Sequence, residues 1–216
     1  MTSLIDDIEA YKATFKKKAS PEKQRLYAQS IYELEESHVA QGLKVGDLAP
    51  DFSLLDATGK RVTLSQELAK GPIIIDFYRG GWCPYCNLEL RAYQRALPKI
   101  QELGAQLIAI SPQTPDASLS TQEKNNLEFA VLSDKDGKVA NQYQLVFKLQ
   151  DYLIELYKQS GFDLELSNGN EKWELPKPAT YVLDQNGIIA FAHVSSDYKE
   201  RTDPAEILTV IKNLHK

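Results

Sequence analysis

The stretch "GPIIIDFYRGGWCPYCNLEL", residues 71–90, holds both cysteines of the chain directly after a strand-like segment. The run 73–78 is apolar and rich in β-branched residues, which is typical of a buried central strand. Pro84 suits the first turn of a helix, because that position needs no backbone donor. The stretch therefore predicts a strand, a tight turn and a helix, with Cys83 at the N-cap and Cys86 one turn inside the helix.

The position of the two cysteines predicts redox chemistry. Both sulfurs would lie near the positive end of a helix, which favours the thiolate over the thiol. A disulfide between residues three apart closes a small ring that can open and form again as a redox couple. Half of a zinc site is a weaker interpretation, because zinc needs three or four ligands and His38, His193 and His215 are not spaced as a ligand pair. Two unrelated buried thiols would not require placement at a helix start.

The segments on either side of this stretch alternate between strands and helices. A helix is predicted after the cysteines as far as Gly104, followed by a buried strand in 105–112 and, after a further helix, a short strand in 129–134. Near the C-terminus, the pattern in 180–194 predicts a hairpin, with a final helix from Asp203-Pro204 to the end of the chain. This order predicts an α/β fold whose sheet has a parallel centre and an antiparallel edge.

The other segments are less regular. Upstream of the buried strand, turn residues at 56–59 separate two short predicted strands. Residues 145–177 are predicted as a helix followed by a loop rich in Asn and Gly. At the N-terminus, apolar spacings of three and four predict helices over 4–18 and 21–41. Their apolar stripe must be covered, and we expect the body of the domain to cover it, with a homodimer as the weaker alternative.

Length and composition limit the class of protein. The chain has 216 residues and a formal net charge of -5, so we expect one domain with an N-terminal extension and no nucleic-acid partner. No apolar run approaches the roughly 20 residues that cross a membrane, and no signal peptide is visible. These observations predict a cytoplasmic location with no membrane partner. In the cytoplasm a close cysteine pair is more often redox-active than structural.

Two motifs resemble a known family. The segments "GDLAPDFSLLDATGKRVTLS" and "FYRGGWCPYCNLELRAYQ" are similar to those of AhpC/TSA-type peroxiredoxin-like proteins, and the likeness runs from about residue 42 to the end. It implies a thioredoxin-like fold over 42–216, with a central mixed sheet flanked by helices, and a helical extension over 1–41. It also implies that a Cys83–Cys86 couple reduces hydroperoxides without a cofactor. A dithiol donor such as thioredoxin, glutaredoxin or glutathione would return the electrons.

The chain departs from the family pattern at the reactive cysteine. Peroxiredoxins carry Pro-x-x-x-Thr-x-x-Cys and a distant arginine. With the motif cysteine on Cys86, the proline position falls on Arg79, the threonine position on Cys83 and the distant arginine near Pro178. The resemblance thus favours Cys86 as the sulfur that peroxide attacks first. Arg79 is expected to supply a cation near the sulfurs in place of the missing arginine.

Other features resemble thioredoxins and glutaredoxins. Pro178 matches the cis-proline that faces the cysteine pair in thioredoxins, so the Lys177–Pro178 bond is expected to be cis. Lys177 would then offer backbone groups to a substrate disulfide. Trp82 and the dipeptide between the cysteines, Pro84 and Tyr85, complete the expected substrate-binding residues.

These likenesses leave two alternatives to a peroxidase. One is a dithiol–disulfide oxidoreductase that attacks protein or glutathione disulfides through Cys83, and the other is a redox-sensing interaction module. Asp76, within the apolar strand, raises a separate question. A buried carboxylate is costly unless it is paired, so a pairing partner is expected for it.

Overall fold

The computed structural model describes residues 3–214, which form an α/β fold. The helices are α1 (Leu4–Lys18), α2 (Pro21–Glu36), α3 (Leu64–Leu68), α4 (Pro84–Glu102), α5 (Pro115–Asn125), α6 (Lys138–Gln142), α7 (Asp151–Gln159), α8 (Leu164–Asn168) and α9 (Pro204–Leu214). The strands are β1 (Ser53–Asp56), β2 (Arg61–Thr63), β3 (Ile73–Phe77), β4 (Gln106–Ser111), β5 (Ala130–Ser133), β6 (Val146–Lys148), β7 (Glu174–Pro176), β8 (Ala179–Leu183) and β9 (Ile189–Val194).

Seven of these strands form one mixed sheet in the order β2-β1-β5-β4-β3-β8-β9. Strand β4 runs parallel to both β3 and β5. The other neighbouring pairs, β2–β1, β1–β5, β3–β8 and β8–β9, are antiparallel. The predicted parallel centre with antiparallel pairing beyond it is confirmed, as is the thioredoxin-like fold class.

Strand β3 lies inside the sheet, between β4 and β8, as its apolar sequence predicts. All five of its residues are buried, because the sheet is covered by apolar side chains on both faces. Ile74 and Tyr78 pack into one core cluster and Ile73, Ile75 and Phe77 into another. The strand ends directly before the turn that carries the cysteines, so the redox pair is attached to a fully buried strand.

The segment 145–177 differs from the prediction. Strands β6 and β7 pair as a separate two-stranded sheet, with α7 and the short α8 between them. Residues of this region form their own apolar cluster, which includes Leu153, Tyr157 and Trp173. The short strands were missed because each has only three residues, too few for an alternating pattern to be recognised.

The N-terminal helices belong to the same packed body. Leu4 and Ile8 of α1 are buried in the core cluster that contains Cys83, Cys86 and Leu90. The second helix ends at Glu36, five residues before the predicted end. The division of the chain into 1–41 and 42–216 stays a prediction, although α1 shares a hydrophobic core with the rest of the fold.

The described residues end within the last predicted helix. Helix α9 begins at Pro204, as expected, and its described part reaches Leu214. The predicted continuation to the end of the chain, including His215, lies outside the described residues, as does the start of the predicted extension, residues 1 and 2. Over residues 3–214, the helices are too short or too polar to cross a membrane.

Candidate active site

The turn between β3 and α4 brings the cysteines to the start of the helix. Cys83 is the N-cap of α4, with extended backbone angles, and Pro84 occupies the first turn. Gly80 lies in the left-handed half of the backbone map at φ +145°, and a Cβ atom there would approach Trp82 Nε1 to 2.3 Å. A glycine is therefore required where the chain turns towards Cys83. Both cysteines are free thiols.

A buried polar network fixes this turn from the side of α5. The Gly81 backbone N–H donates to Gln113 Oε1 at 2.8 Å, and Thr121 donates to the same oxygen at 3.2 Å. On the other side, Asn87 Nδ2 donates to the carbonyl groups of Gly81, at 2.7 Å, and Cys83, at 2.9 Å. Since every group in this network is paired, the position of Cys83 is held by directional bonds as well as by packing.

Cys83 adjoins a cavity of about 620 Å³, whereas Cys86 does not line it. The exposed fraction is 1% for Cys83 and 0% for Cys86, so both thiols are shielded from bulk solvent. Trp82, Pro84, Tyr85 and Arg79 also line the cavity. The structure thus brings together four of the predicted site residues around Cys83, with Cys86 behind them.

Arg79 is a buried cation on the cavity side of the pair. Its guanidinium lies 4.4 Å from the ring centre of Tyr198 and 5.0 Å from that of Trp82, within the range of cation–π attraction. Its Nη2 donates to the hydroxyl group of Tyr157. None of the ion pairs between described residues involves Arg79, so its charge is not neutralised by a carboxylate.

These surroundings make Cys83 the more acidic thiol. Burial opposes its ionisation, but a hydrogen bond from the Cys86 thiol and the positive charges of Arg79 and Arg201 outweigh burial and lower the pKa of Cys83 from 9.0 to about 6. Hydrogen bonds and cations that favour the charged form are the usual cause of such a shift. Cys83 is therefore largely a thiolate at neutral pH.

Arg201 defines the other side of the pair. Its Nη2 lies 3.4 Å from Cys86 Sγ, and its Nη1 is hydrogen-bonded to Glu89. The side chains of both members of this ion pair are only 1% exposed. Two further bonds, from Nε and Nη2 to the carbonyl oxygen of Tyr198 at 3.0 and 2.7 Å, fix the guanidinium. Cys86 is thus enclosed by a rigid, buried Arg201–Glu89 pair.

The pKa of Cys86 moves in the opposite direction from that of Cys83. Burial, together with the hydrogen bond to Cys83 and the charge of Cys83, raises the pKa of Cys86 well above 9.0, although Arg201 opposes the change. Burial also raises the pKa of Glu89 to about 7, against the effect of Arg201. Cys86 therefore keeps its proton while Cys83 is ionised.

Asp76 lies on the Cys86 side of the site. Both of its carboxylate oxygens are buried without a hydrogen-bond partner among the described residues, so the expectation of a paired carboxylate is wrong. Burial, and then the charge of Glu89, raise the pKa of Asp76 well above 3.8, despite Arg201. The cost of a buried charge is avoided by keeping the group protonated.

Pro178 and Lys177 do not take the predicted places. The structure contains no cis peptide bond within the described range, so Lys177–Pro178 is trans and the expected cis-proline is wrong. The Lys177 backbone N–H donates to the carbonyl oxygen of Leu145 at 2.9 Å and is not available to a substrate. Neither residue lines the cavity beside Cys83; both lie at a smaller cavity with Arg79. The bond to Leu145 extends the pairing of β6 and β7 by one residue at this end.

Several residues of the site carry no signal in the sequence. Arg201 belongs to the irregular segment between β9 and α9, 115 positions after Cys86. Glu89 is recognisable only as a charged residue on an otherwise buried face of α4. Such a buried charge indicates a partner, but nothing in the sequence indicates that the partner is Arg201. The aromatic residues of α1 and α2 that line the cavity were interpreted only as an apolar helix stripe.

This geometry places a polarised thiol pair on a thioredoxin-like sheet, and comparison with known proteins gives the family. The sequence model of the AhpC/TSA family matches residues 45–192. Chloroplastic peroxiredoxin Q from Oryza sativa subsp. japonica is 27% identical over 169 residues, which cover 78% of this chain and 67% of the relative. The thiol-disulfide oxidoreductase ResA from Bacillus thuringiensis is 29% identical over 114 residues, which cover 52% and 65%.

The fold is also shared with solved structures. Peroxidoxin BcpB from Mycobacterium tuberculosis superposes with a TM-score of 0.63 at 23% identity, covering 79% of this chain and 97% of that protein. The chain belongs to the AhpC/TSA family. The predicted class, a peroxiredoxin-like thiol-dependent peroxidase with two cysteines, is confirmed, and the dithiol–disulfide alternative is not favoured.

Proposed function

We propose that this chain reduces hydroperoxides with Cys83 as the attacking thiolate and Cys86 as the resolving thiol. The observation that carries the proposal is the asymmetry of the pair, since Cys83 adjoins the cavity and Cys86 does not. A substrate in the cavity would meet Cys83 first. The pKa shifts point the same way, because the thiolate is the nucleophile. This proposal reverses the assignment that the family motif suggests for the two sulfurs.

The proposed reaction has two steps within the protein. The Cys83 thiolate attacks one peroxide oxygen, the O–O bond breaks, and the other oxygen leaves as an alkoxide or hydroxide that takes up a proton. Cys83 is thereby oxidised to a sulfenic acid. The sulfur of Cys86 then attacks Cys83, the S–O bond breaks, and water leaves as a Cys83–Cys86 disulfide forms. An external dithiol returns the two electrons by thiol–disulfide exchange.

The two arginines support different steps. Arg79, unpaired and beside Cys83, would stabilise the thiolate and the negative charge that develops on the departing oxygen. Arg201, 3.4 Å from Cys86, would stabilise the second thiolate when Cys86 loses its proton to attack. Both are positioned by neighbouring groups before the reaction, so little reorganisation is needed.

The reductant and the location are narrower proposals. Peroxiredoxins take electrons from thioredoxin-type donors, and we expect a thioredoxin to reduce this disulfide more readily than glutaredoxin or glutathione. The cytoplasmic location and the homodimer stay predictions from the sequence. The peroxiredoxin Q relatives are chloroplastic by name, which does not decide the compartment of this chain.

A coupled assay tests the proposal. Turnover of hydrogen peroxide and of cumene hydroperoxide by the reduced protein, with thioredoxin, thioredoxin reductase and NADPH, should be compared with reduction of insulin disulfides by the protein and dithiothreitol, measured against dithiothreitol alone because thioredoxin itself reduces disulfides. We expect peroxide-dependent NADPH consumption that the double variant Cys83→Ser/Cys86→Ser lacks. Rapid insulin reduction without peroxide turnover would contradict the proposal and assign the chain to the dithiol–disulfide oxidoreductases.

A further inference from the structure

The cavity beside Cys83 is built partly by the N-terminal helices. Tyr11 and Phe15 of α1 and Tyr27 of α2 line it, and all three precede residues 45–192, which match the family model. Its volume of about 620 Å³ lies within the usual range for small-molecule sites. Hydrogen peroxide does not need a space of this size. The helices therefore add a feature that the family motif does not account for.

Aromatic rings form most of the apolar wall. Eight aromatic side chains line the cavity, among them Tyr11, Phe15, Tyr27, Trp82, Tyr85 and Phe162. Many of these rings contact one another, with centroid distances of 5.1 Å for Tyr11–Tyr85, 5.8 Å for Phe15–Tyr27 and 4.4 Å for Trp82–Phe162. A wall of interlocked rings offers an apolar surface of defined shape, which suits a ligand with a hydrocarbon or aromatic body.

The charges that line the cavity have a single sign. Five cations contribute to it, namely Lys12, Lys16, Lys23, Arg79 and Lys199. Within residues 3–214, no Asp or Glu lines it, although the chain as a whole carries a formal net charge of -5. Lys12 and Lys199 are paired outside the lining with Glu9 and Asp197, both at 2.8 Å. Lys16 and Lys23 have no carboxylate partner among the ion pairs of the described residues.

We propose that α1 and α2 make this cavity a binding site for hydroperoxides of amphipathic carboxylic acids. The hydrocarbon body would pack among the aromatic rings, the carboxylate would contact Lys16 and Lys23, and the hydroperoxide group would face Cys83. The placement of the hydroperoxide group at Cys83 rests on the proposed function. Binding of the carboxylate does not, because the lysines and rings would also bind an unreactive acid.

Binding of an unreactive pair of ligands tests the site without any turnover. Isothermal titration calorimetry should compare decanoate with decanol, which share a hydrocarbon chain and differ in charge. We expect Lys16→Glu/Lys23→Glu to weaken decanoate binding about tenfold, since each exposed ion pair contributes a few-fold, and to leave decanol binding unchanged. Phe15→Ala should weaken both ligands. The control is Lys17→Glu/Lys18→Glu, which makes the same charge change next to Lys16 at residues that do not line the cavity.

Equal affinity for decanoate and decanol, or an equal loss in the control variant, would overturn the proposal. A turnover experiment separates it from the proposed function. The values of kcat/KM should be compared for linoleic acid hydroperoxide, its methyl ester and hydrogen peroxide. We expect the acid to exceed its ester, and the excess to disappear in Lys16→Glu/Lys23→Glu.

Two results of the turnover experiment have distinct meanings. If no peroxide is reduced but decanoate binds as described, the peroxidase function is wrong and the acid-binding site stands. If all three peroxides are reduced and the lysine variant leaves the ratio between acid and ester unchanged, the function stands and the assignment of the cavity is wrong.

Discussion

Cys83 and Cys86 are separated by a single turn of α4, yet their surroundings differ in almost every respect. Cys83 adjoins an aromatic, cationic cavity, whereas Cys86 lies against the buried Arg201–Glu89 pair. Both sulfurs share the same helix N-terminus, so the helix dipole cannot distinguish them. The side chains packed around each sulfur therefore decide which thiol ionises first.

The two arginines show the same contrast. Arg79 is held by aromatic rings and the Tyr157 hydroxyl group, so its full charge acts on Cys83. The charge of Arg201 is shared between Glu89 and Cys86. An uncompensated cation strongly favours a thiolate, while a compensated one mainly orients its neighbours. Arg79 thus lowers the pKa of Cys83 more than Arg201 does, and Arg201 also fixes the position of the second sulfur.

The largest effect should come from replacing Cys83 by serine. We expect Cys83→Ser to lower the rate of oxidation by hydrogen peroxide more than about a hundredfold, because Cys86 does not line the cavity and burial raises its pKa. We expect Cys86→Ser to react quickly and to stop at a sulfenic acid on Cys83. Stopped-flow tryptophan fluorescence and dimedone labelling with mass spectrometry measure the two results.

The reverse pattern would contradict the roles that we assign to the two cysteines. If Cys83→Ser accumulates a sulfenic acid on Cys86 at the wild-type rate, the family motif assigns the sulfurs correctly and the cavity does not select the nucleophile. The control is the double variant Cys83→Ser/Cys86→Ser, which should show neither signal.

The two arginines should differ in their effect on stability. Replacement of Arg201 by Met leaves Glu89 buried without its partner, which costs up to about 3–5 kcal/mol where Glu89 is charged, that is at pH values above its pKa of about 7. Arg201→Met/Glu89→Gln should recover part of that loss, because the unpaired charge is removed. Arg79→Met leaves no carboxylate without a partner, so it should lower the free energy of unfolding less than Arg201→Met. Urea unfolding of the reduced proteins measures the stability of all three variants. Equal losses of stability in Arg79→Met and Arg201→Met would contradict the difference that we infer between the two arginines.

The pH dependence should follow Cys83. With a pKa of about 6, the thiolate fraction and the oxidation rate should fall about tenfold between about pH 7 and pH 5. The pKa is lower in the folded state than its ordinary value of 9.0, so ionisation of Cys83 stabilises the reduced protein above about pH 9. This stabilisation is lost as pH falls through about 6.

The stability difference between the reduced wild type and Cys83→Ser isolates this contribution from that of Glu89, whose pKa is raised. It should grow as pH rises between about 6 and 9. Thiolate absorbance and urea unfolding over this range measure the two effects. A thiolate titration near pH 9 in the folded protein would rule out the electrostatic account of Cys83.

The sequence predicted the fold and the cysteine turn because their signals are local. The apolar run of β3, Pro84 after Cys83 and the glycines before it all act within a few residues. Residues that reach the site from distant segments could not be predicted in this way. Arg201 lies in an irregular loop with no periodic pattern, and its contact with Cys86 depends on how the chain between β9 and α9 packs against α4.

The errors at Lys177, Pro178 and Asp76 have a related cause. Likeness to thioredoxin predicts a cis Lys177–Pro178 bond with backbone groups open to a substrate, but the bond is trans and the Lys177 N–H donates to the carbonyl oxygen of Leu145. For Asp76, local reasoning required a partner and did not consider that burial, and then the charge of Glu89, raise its pKa and favour the protonated acid. Both outcomes depend on tertiary neighbours that only the folded chain brings together.

The smallest effect should come from replacing Arg79. This substitution tests most directly which of the two arginines lowers the pKa of Cys83. Arg79→Met removes a cation beside Cys83 and should raise the pKa of Cys83 by about one unit, the low end for loss of a close opposite charge. At about pH 6 this shift lowers the thiolate fraction, and with it the oxidation rate, about fivefold. At high pH the thiolate is fully formed in both proteins, so any rate difference that persists there measures stabilisation of the departing oxygen.

Arg79→Lys is the matched control, because it keeps the charge but loses the flat contact with Tyr198 and Trp82. If Arg79→Met titrates like the wild type while Arg201→Met shifts the titration of Cys83, then Arg201 supplies the activating charge and the roles of the two arginines are exchanged.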